Sequence, residues 1–236
     1  MGKKGGNRKT KALVAPKSVN IKRKEQVWTI HTVPGAHKRT ASVALAIALR
    51  ELLNIATTMK EVKAIINAGE VKVNGVVKKD ARMGLGLFDT VDMEKQKLFY
   101  RVLLDKKGRL YLKNLEEKSN EKIVKVEHKK MVSKGVQLTT DDSRVYFNDS
   151  AKRGDSLKIK LPEGKIDKVL PLQKGSIVFI TKGEHCSELA TVEEIIEGTD
   201  KREKLVKLKN KNGEFETIPK SVYVIGEGKA ELKDIE

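Results

Sequence analysis

The chain has 236 residues, room for one large domain or two to three small ones, and its 49 lysines and arginines against 32 acids give a formal net charge of +17. An apolar fraction of 39% can fill modest cores, which excludes wholesale disorder, and the one cysteine, Cys186, excludes an intramolecular disulfide framework and any multi-cysteine zinc site. No apolar run reaches the roughly 18 residues of a bilayer span and the basic N-terminus lacks the apolar core of a signal peptide, so a soluble protein of a reducing compartment with a polyanionic partner is expected.

Residues 1–40 carry eleven basic side chains and one acid, Glu25, whereas residues 171–236 carry eleven bases and thirteen acids. A basic arm on a less charged body suits a chain threaded along phosphates. The opening run from Met1 to Lys11 mixes glycine, which frees the backbone, with lysine and arginine, which neutralise phosphate. A solvated tail that only aids solubility is the plainer alternative. Segment 1–25 has little apolar content to offset ordering entropy, so a narrow NMR amide envelope is expected for it in the free protein. Turn signals follow at Ala15-Pro16-Lys17-Ser18 and Val33-Pro34-Gly35-Ala36-His37-Lys38. Val27, Trp28 and Ile30 can pin this stretch to a core. The sole tryptophan either buries there, the commoner outcome, or stacks on a base.

Next, Ser42 is placed to cap a helix running to about Leu53, with Leu45, Leu49, Leu52 and Leu53 on one face. Thr58-Met59-Lys60-Glu61 is a capping box that opens a second helix, with Val62, Ile65 and Ile66 inward, Lys60 and Lys63 outward, and Gly69 at its end. Val71 and Val73 alternate with polar residues up to Asn74-Gly75, a strong hairpin signal, and Val76-Val77 begins the return strand before Lys78-Lys79. This order, with Ala68-Gly69-Glu70-Val71-Lys72-Val73-Asn74-Gly75 at its centre, resembles the S-four RNA-binding fold. The resemblance implies an RNA-facing surface that includes Lys60, Lys63, Asn74, Lys78 and Lys79. The fold's usual Gly-Asp before its last strand is Phe88-Asp89 here, so a different turn is expected.

The remainder reads as β. Leu98–Leu104 and Arg109–Leu112 flank a hairpin turn at Asp105-Lys106-Lys107-Gly108, and short strands follow around residues 123, 136 and 145. Leu157, Ile159 and Leu161 alternate with Lys158 and Lys160, which places a lysine row either on a solvated edge or against phosphate. From Gly175 onward, Gly175, Val178, Ile180, Gly183 and Val192 match positions of the KOW motif. Ser187 and Ala190 replace two of its glycines, so a reshaped loop is expected. Asn212-Gly213 marks a further hairpin.

Taken in order, these segments resemble one family, the archaeal and eukaryotic small-subunit ribosomal protein family S-four-e. The most telling stretches are Leu13-Val14-Ala15-Pro16-Lys17-Ser18, Pro34-Gly35-Ala36-His37-Lys38, Gly86-Leu87-Phe88-Asp89 and Tyr100-Arg101-Val102 with Gly108-Arg109. Val19 stands where the family often has an aromatic, and Lys11-Ala12 where it has a Lys-Arg pair. The length fits archaeal members. The resemblance implies an α+β multidomain protein: a basic extension and linker over 1–41, an S-four-type unit over 42–104, a central β domain over 105–172, and a KOW-like SH3-type barrel with a tail over 173–236. It also implies a structural constituent of the small ribosomal subunit, in the cytoplasm, that binds small-subunit rRNA and neighbouring subunit proteins and serves assembly. Neither a membrane nor a small-molecule substrate is implied. The basic contacts it implies in the arm and linker are Lys3, Lys4, Arg8, Lys9, Lys11, Lys17, Lys22, Arg23, His37, Lys38 and Arg39. Recognition would rest on charge neutralisation and shape, since so few aromatics cannot support extensive base stacking.

No seat for catalysis emerges, and no cofactor or metal is expected. His31, His37, His128 and His185 are scattered, His185-Cys186 lacks the spaced partners of a zinc site, and the phosphate-binding Gly-x-x-x-x-Gly-Lys-Ser/Thr loop is missing. Two rival readings stay open: an RNA-modifying enzyme with an S-four appendage, and a KOW-type transcription elongation or RNA-chaperone factor.

Overall fold

The computed structural model describes residues 9–133, 135–199, 202–210 and 213–232. The chain is mostly β with few helices, and it divides into two compact units. The first holds residues up to Leu103 together with Arg109–Ser119; the second holds Leu104–Gly108 and the chain from Asn120 onward.

In the first unit the extension is built into the body from residue 9 onward, unlike the unordered arm expected to residue 25. Strand Lys9–Lys11 pairs antiparallel with Trp28–Ile30, and Ala12, Ala15 and Val19 are buried. The Arg23 guanidinium donates to the carbonyl oxygens of Leu13, Ala15 and Pro16 at 3.2, 2.8 and 3.0 Å, which closes the loop between the two strands. Small apolar side chains and one multidentate donor are enough to fix a segment with little hydrophobic area. Lys3, Lys4 and Arg8 lie outside the described residues.

The first helix also differs from expectation. Ser42 is buried and its hydroxyl caps nothing; strand Val43–Ala44 follows it and pairs with Gly84–Leu85. The helix begins at Leu45 without a side-chain cap, runs to Ile47, and widens into a π turn over Ala48–Leu52, where the Leu53 N–H reaches the Ala48 carbonyl at 2.9 Å. Leu45 to Leu49 are all buried. A segment apolar on every side has no solvent face to set an amphipathic register. The second helix, Met59–Asn67, does carry the predicted capping box: Glu61 N–H donates to Thr58 Oγ1 at 3.3 Å, and Thr58 N–H to Glu61 Oε2 at 3.2 Å. Val62 and Ile66 face inward. The unit's sheet runs in the order Val76–Val77, Lys72–Val73, Thr90–Met93, Leu98–Leu104, Leu110–Leu115. Strand Leu110–Leu115 therefore belongs to this unit and not to the β domain expected from residue 105.

The second unit contains two five-stranded sheets. One runs Val145–Phe147, Gly135–Thr140, Glu121–Val132, Ser156–Lys160, Lys165–Leu170, around a core of Val124, Val126, Leu138, Ala151, Leu157 and Ile159. The other runs Gly213–Thr217, Leu205–Asn210, Leu189–Ile196, Ser176–Ile180, Val222–Glu227. Strand Ser156–Lys160 is internal, so its lysine row is not an edge: Lys158 pairs with Glu121 at 3.0 Å and Glu231 at 3.2 Å, and Lys160 with Asp167 at 2.7 Å. Ser187 takes φ of +71°, the left-handed backbone that favours glycine.

Lys125 ties the two sheets together. Its buried Nζ donates to the carbonyls of Pro219 at 2.5 Å and Val222 at 2.6 Å and sits 5.2 Å from the centre of the Tyr223 ring. The Tyr223 hydroxyl in turn donates to Asp141 Oδ2 at 2.8 Å, and Asp141 Oδ1 accepts from the Lys125 N–H. Burial pulls the Lys125 ammonium down to about 8. Lys125→Ala is expected to cost about 3 kcal/mol, because two buried carbonyls lose their donor. Lys160→Ala, at an exposed pair, should leave the midpoint nearly unchanged. Urea unfolding of both variants checks the contrast.

Candidate nucleic-acid interface

A phosphate-binding surface needs cations that are exposed and not neutralised by neighbouring acids. Lys9, Lys11, Lys17, Lys60, Lys63 and Lys79 are exposed, and among the described residues none of them has a carboxylate within ion-pair distance. Lys38 and Arg39 are exposed as well, and Lys78 is half-buried. All belong to the first unit. Lys60 and Lys63 sit on the solvent face of the capped second helix, because Val62 and Ile66 fix the opposite face inward. Lys78 and Lys79 follow the Asn74-Gly75 hairpin, whose φ values of +52° and +76° are those of a tight turn. Lys22 is exposed but paired with Glu25 at 2.9 Å.

Three expected contacts are corrected. Arg23 is half-buried and holds backbone carbonyls, as described above. Asn74 is buried: its Nδ2 donates to Asp89 Oδ1 at 2.8 Å, and its Oδ1 accepts from Thr90 N–H at 3.0 Å. His37 faces inward too, with Nε2 2.8 Å from Asp89 Oδ2 and both side chains almost wholly out of water. A turn asparagine and a linker histidine look available in sequence; here one buried carboxylate claims both.

Asp89 is the residue sequence reasoning missed. Its Oδ2 also accepts from Gly86 N–H at 2.7 Å. The carboxylate thus joins the 34–38 linker, the 74–75 hairpin and the 86–89 loop. Gly86 must be glycine because a Cβ there would lie 2.3 Å from His37 Nδ1. Phe88 takes φ of +63° and buries its ring completely, so the turn keeps the glycine-like backbone of the usual Gly-Asp. The signal was present as Gly86-Leu87-Phe88-Asp89, but only the fold shows what the acid holds. Trp28, for which burial was the commoner expectation, is 53% exposed.

Cys186 is buried with its thiol pushed up by burial, which disfavours the thiolate. His185 stacks on Phe215 and pairs with Glu188 at 3.1 Å. Among the described residues no cluster of three or more metal-ligating side chains occurs, and no helix is long and apolar enough to cross a membrane.

A β-rich chain with a strongly basic first unit, in which Lys9, Lys11, Lys17, Lys60, Lys63 and Lys79 lack carboxylate partners among the described residues, is a protein of the nucleic-acid-binding class. Comparison with known proteins defines it further. The family description RS4NT (NUC023) domain matches residues 4–40, and Ribosomal family S4e matches residues 96–166. Small ribosomal subunit protein eS4 of Methanosphaera stadtmanae is 35% identical over 97% of this chain and 96% of its own, and that of Methanocaldococcus jannaschii 34% identical over 99% and 100%. The crystal structure of 30S ribosomal protein S4e from Thermoplasma acidophilum superposes with a TM-score of 0.70 at 29% identity, covering 80% of this chain and 97% of that one. The chain belongs to the small ribosomal subunit protein eS4 family.

Asp89→Ala should cost about 3 kcal/mol or more, since three donors lose a charged acceptor; urea unfolding, with loss of the distinct Asn74 side-chain amide resonances, checks it. Burial pushes Asp92 up to about 6 against the pull of Lys118 and Lys72. The native state therefore keeps a proton that the unfolded chain releases near 4, and stability falls as pH rises from about 4 to about 6. Asp92→Asn should abolish that fall and be more stable than the parent at pH 7 by about 1–2 kcal/mol, with little difference at pH 4.

Proposed function

We propose that this protein is a structural constituent of the small ribosomal subunit that binds the subunit's rRNA, contacts neighbouring subunit proteins and supports assembly and translation, in the cytoplasm. The finer architecture that suits this role is an S-four-type unit over 42–104, a central β region, and a KOW-like barrel from residue 173. The observation that carries the reading is the set of uncompensated lysines in the first unit, in a chain whose relatives over nearly their full length are named small ribosomal subunit protein eS4.

The mechanism follows from which basic side chains are exposed in the first unit and which lysines of the second are set against acids. Lys9, Lys11, Lys17, Lys38, Arg39, Lys60, Lys63, Lys78 and Lys79 meet phosphates and release counterions. The Asp89 cluster holds the linker and hairpin rigid, so these cations are presented in a fixed spacing that matches a folded RNA rather than a base sequence. The elongation-factor reading would want a basic barrel, yet Lys207 and Lys209 of that sheet are paired with Glu214 and Glu193.

Sedimentation of native lysate at low and then high salt tests the role. Stoichiometric presence in the small-subunit and ribosome peaks after a high-salt wash is expected, and recovery at the top of the gradient would overturn it. With purified rRNA, Lys60→Gln, Lys63→Gln and Lys79→Gln should each lower the slope of log K against log salt by roughly 0.7–0.9, while Lys158→Gln and Lys207→Gln leave it unchanged.

A further inference from the structure

We propose that the cleft beside Trp28 receives one unpaired nucleobase of the RNA, stacked on the exposed indole face. The proposal rests on the rRNA-binding reading and deepens it, by naming where a base, rather than a phosphate, is held.

The strand Trp28–Ile30 sets the geometry. Its alternation sends Thr29 inward and leaves Trp28 on the surface, with its neighbour Val27 exposed, and Leu13 and Val14, just past the partner strand Lys9–Lys11, exposed as well. A large aromatic and three aliphatic side chains left in water on a strongly basic segment mark an interaction surface. A cleft of about 660 Å³ opens against the indole, within the size range of small-ligand sites. Its lining includes apolar Ala12, Leu52 and Ala56. The amides of Asn20, Gln26 and Asn54 and the hydroxyl of Thr57 also line it and offer donors and acceptors of the kind a base edge carries.

The charges choose between base and phosphate. Lys22 is paired with Glu25, and Arg50 with Glu51, and all four line the cleft; Arg109 donates to Asn20 Oδ1 at 3.4 Å. A phosphate entering here would meet two carboxylates that already pair two of the three cations lining the cleft; a neutral planar base meets the same side chains without charge repulsion and gains a stacking face. The phosphates on either side of that base have their own partners: Lys11 stands directly opposite Trp28 in the strand pair, and Lys9 two residues further on, opposite Ile30, both without a carboxylate partner among the described residues. This charge arrangement favours RNA over a protein side chain as the occupant. Arg50, Glu51 and Leu52 of the π turn Ala48–Leu52 line the cleft, as does Asn54, at φ of +52°. Such irregular backbone is frequent at functional sites.

Trp28 is the sole tryptophan, so its emission reports on this cleft alone. The full chain is titrated with a mixed-sequence single-stranded oligoribonucleotide and, separately, with a fully paired RNA duplex of the same length. The expected result is quenching of Trp28 emission by the single strand and not by the duplex. Trp28→Ala should bind the single strand roughly five- to hundredfold more weakly, by anisotropy of labelled RNA, with Trp28→Phe keeping most of the affinity. Unchanged emission despite binding, equal quenching by the duplex, or parental affinity in Trp28→Ala overturns the base site and leaves the rRNA-binding reading standing. Binding to neither RNA overturns both. Emission that changes only when other small-subunit proteins are added overturns the base site in favour of a protein occupant.

Discussion

A carboxylate taken out of water has to be met by donors, and Asp89 meets that demand from three separate parts of the chain. Gly86 supplies a backbone N–H, Asn74 a side-chain amide and His37 a ring nitrogen, all within 2.7–2.8 Å. Each donor is costly to remove because the charge would stay buried. The linker, the hairpin and the loop before Thr90–Met93 are therefore fixed relative to one another by one side chain. Gly86 has no side chain because the His37 ring occupies that space, and Phe88 accepts a left-handed backbone because its ring is fully buried. The exposed lysines that flank these segments inherit their spacing from this cluster.

Charge is handled differently in the two units. In the second, Lys158, Lys160, Lys168, Lys207 and Lys209 are each set against glutamate or aspartate, and Lys122 forms a buried pair with Asp142 at 3.2 Å. Those lysines fasten strands and sheets. In the first, Lys9, Lys11, Lys17, Lys60 and Lys63 have no such partners among the described residues, so their field points outward. The net charge of +17 alone does not distinguish these uses. A lysine row on Ser156–Lys160 reads in sequence as either a solvated edge or a phosphate surface and becomes an internal set of ion pairs once the flanking strands are in place.

Local rules served well where the signal was local. The Thr58–Glu61 capping box and the Asn74-Gly75 turn need only neighbouring residues, and both form as read. They served poorly where partners lie far along the chain. Ser42 resembles a cap but precedes a strand, because Val43–Ala44 pairs with Gly84–Leu85. The extension resembles a free arm, but Arg23 and the strand Trp28–Ile30 fold back on it from residue 9. Ser187 and Phe88 stand where glycine is usual, and each takes the glycine conformation, since the surrounding structure holds the turn more firmly than side-chain sterics oppose it.

The sequence by itself determined the β-rich class, the basic character and its concentration in the first 40 residues, the capped helix and hairpin, and the family resemblance, because these rest on composition, period and motif order. Tertiary structure alone decided which polar groups remain available. Whether His37, Asn74 and Arg23 face solvent, whether a lysine meets an acid, and whether Trp28 is left beside a cleft depend on contacts across tens of residues. No local pattern encodes those contacts, and burial assigns each group to holding the fold or to meeting a partner.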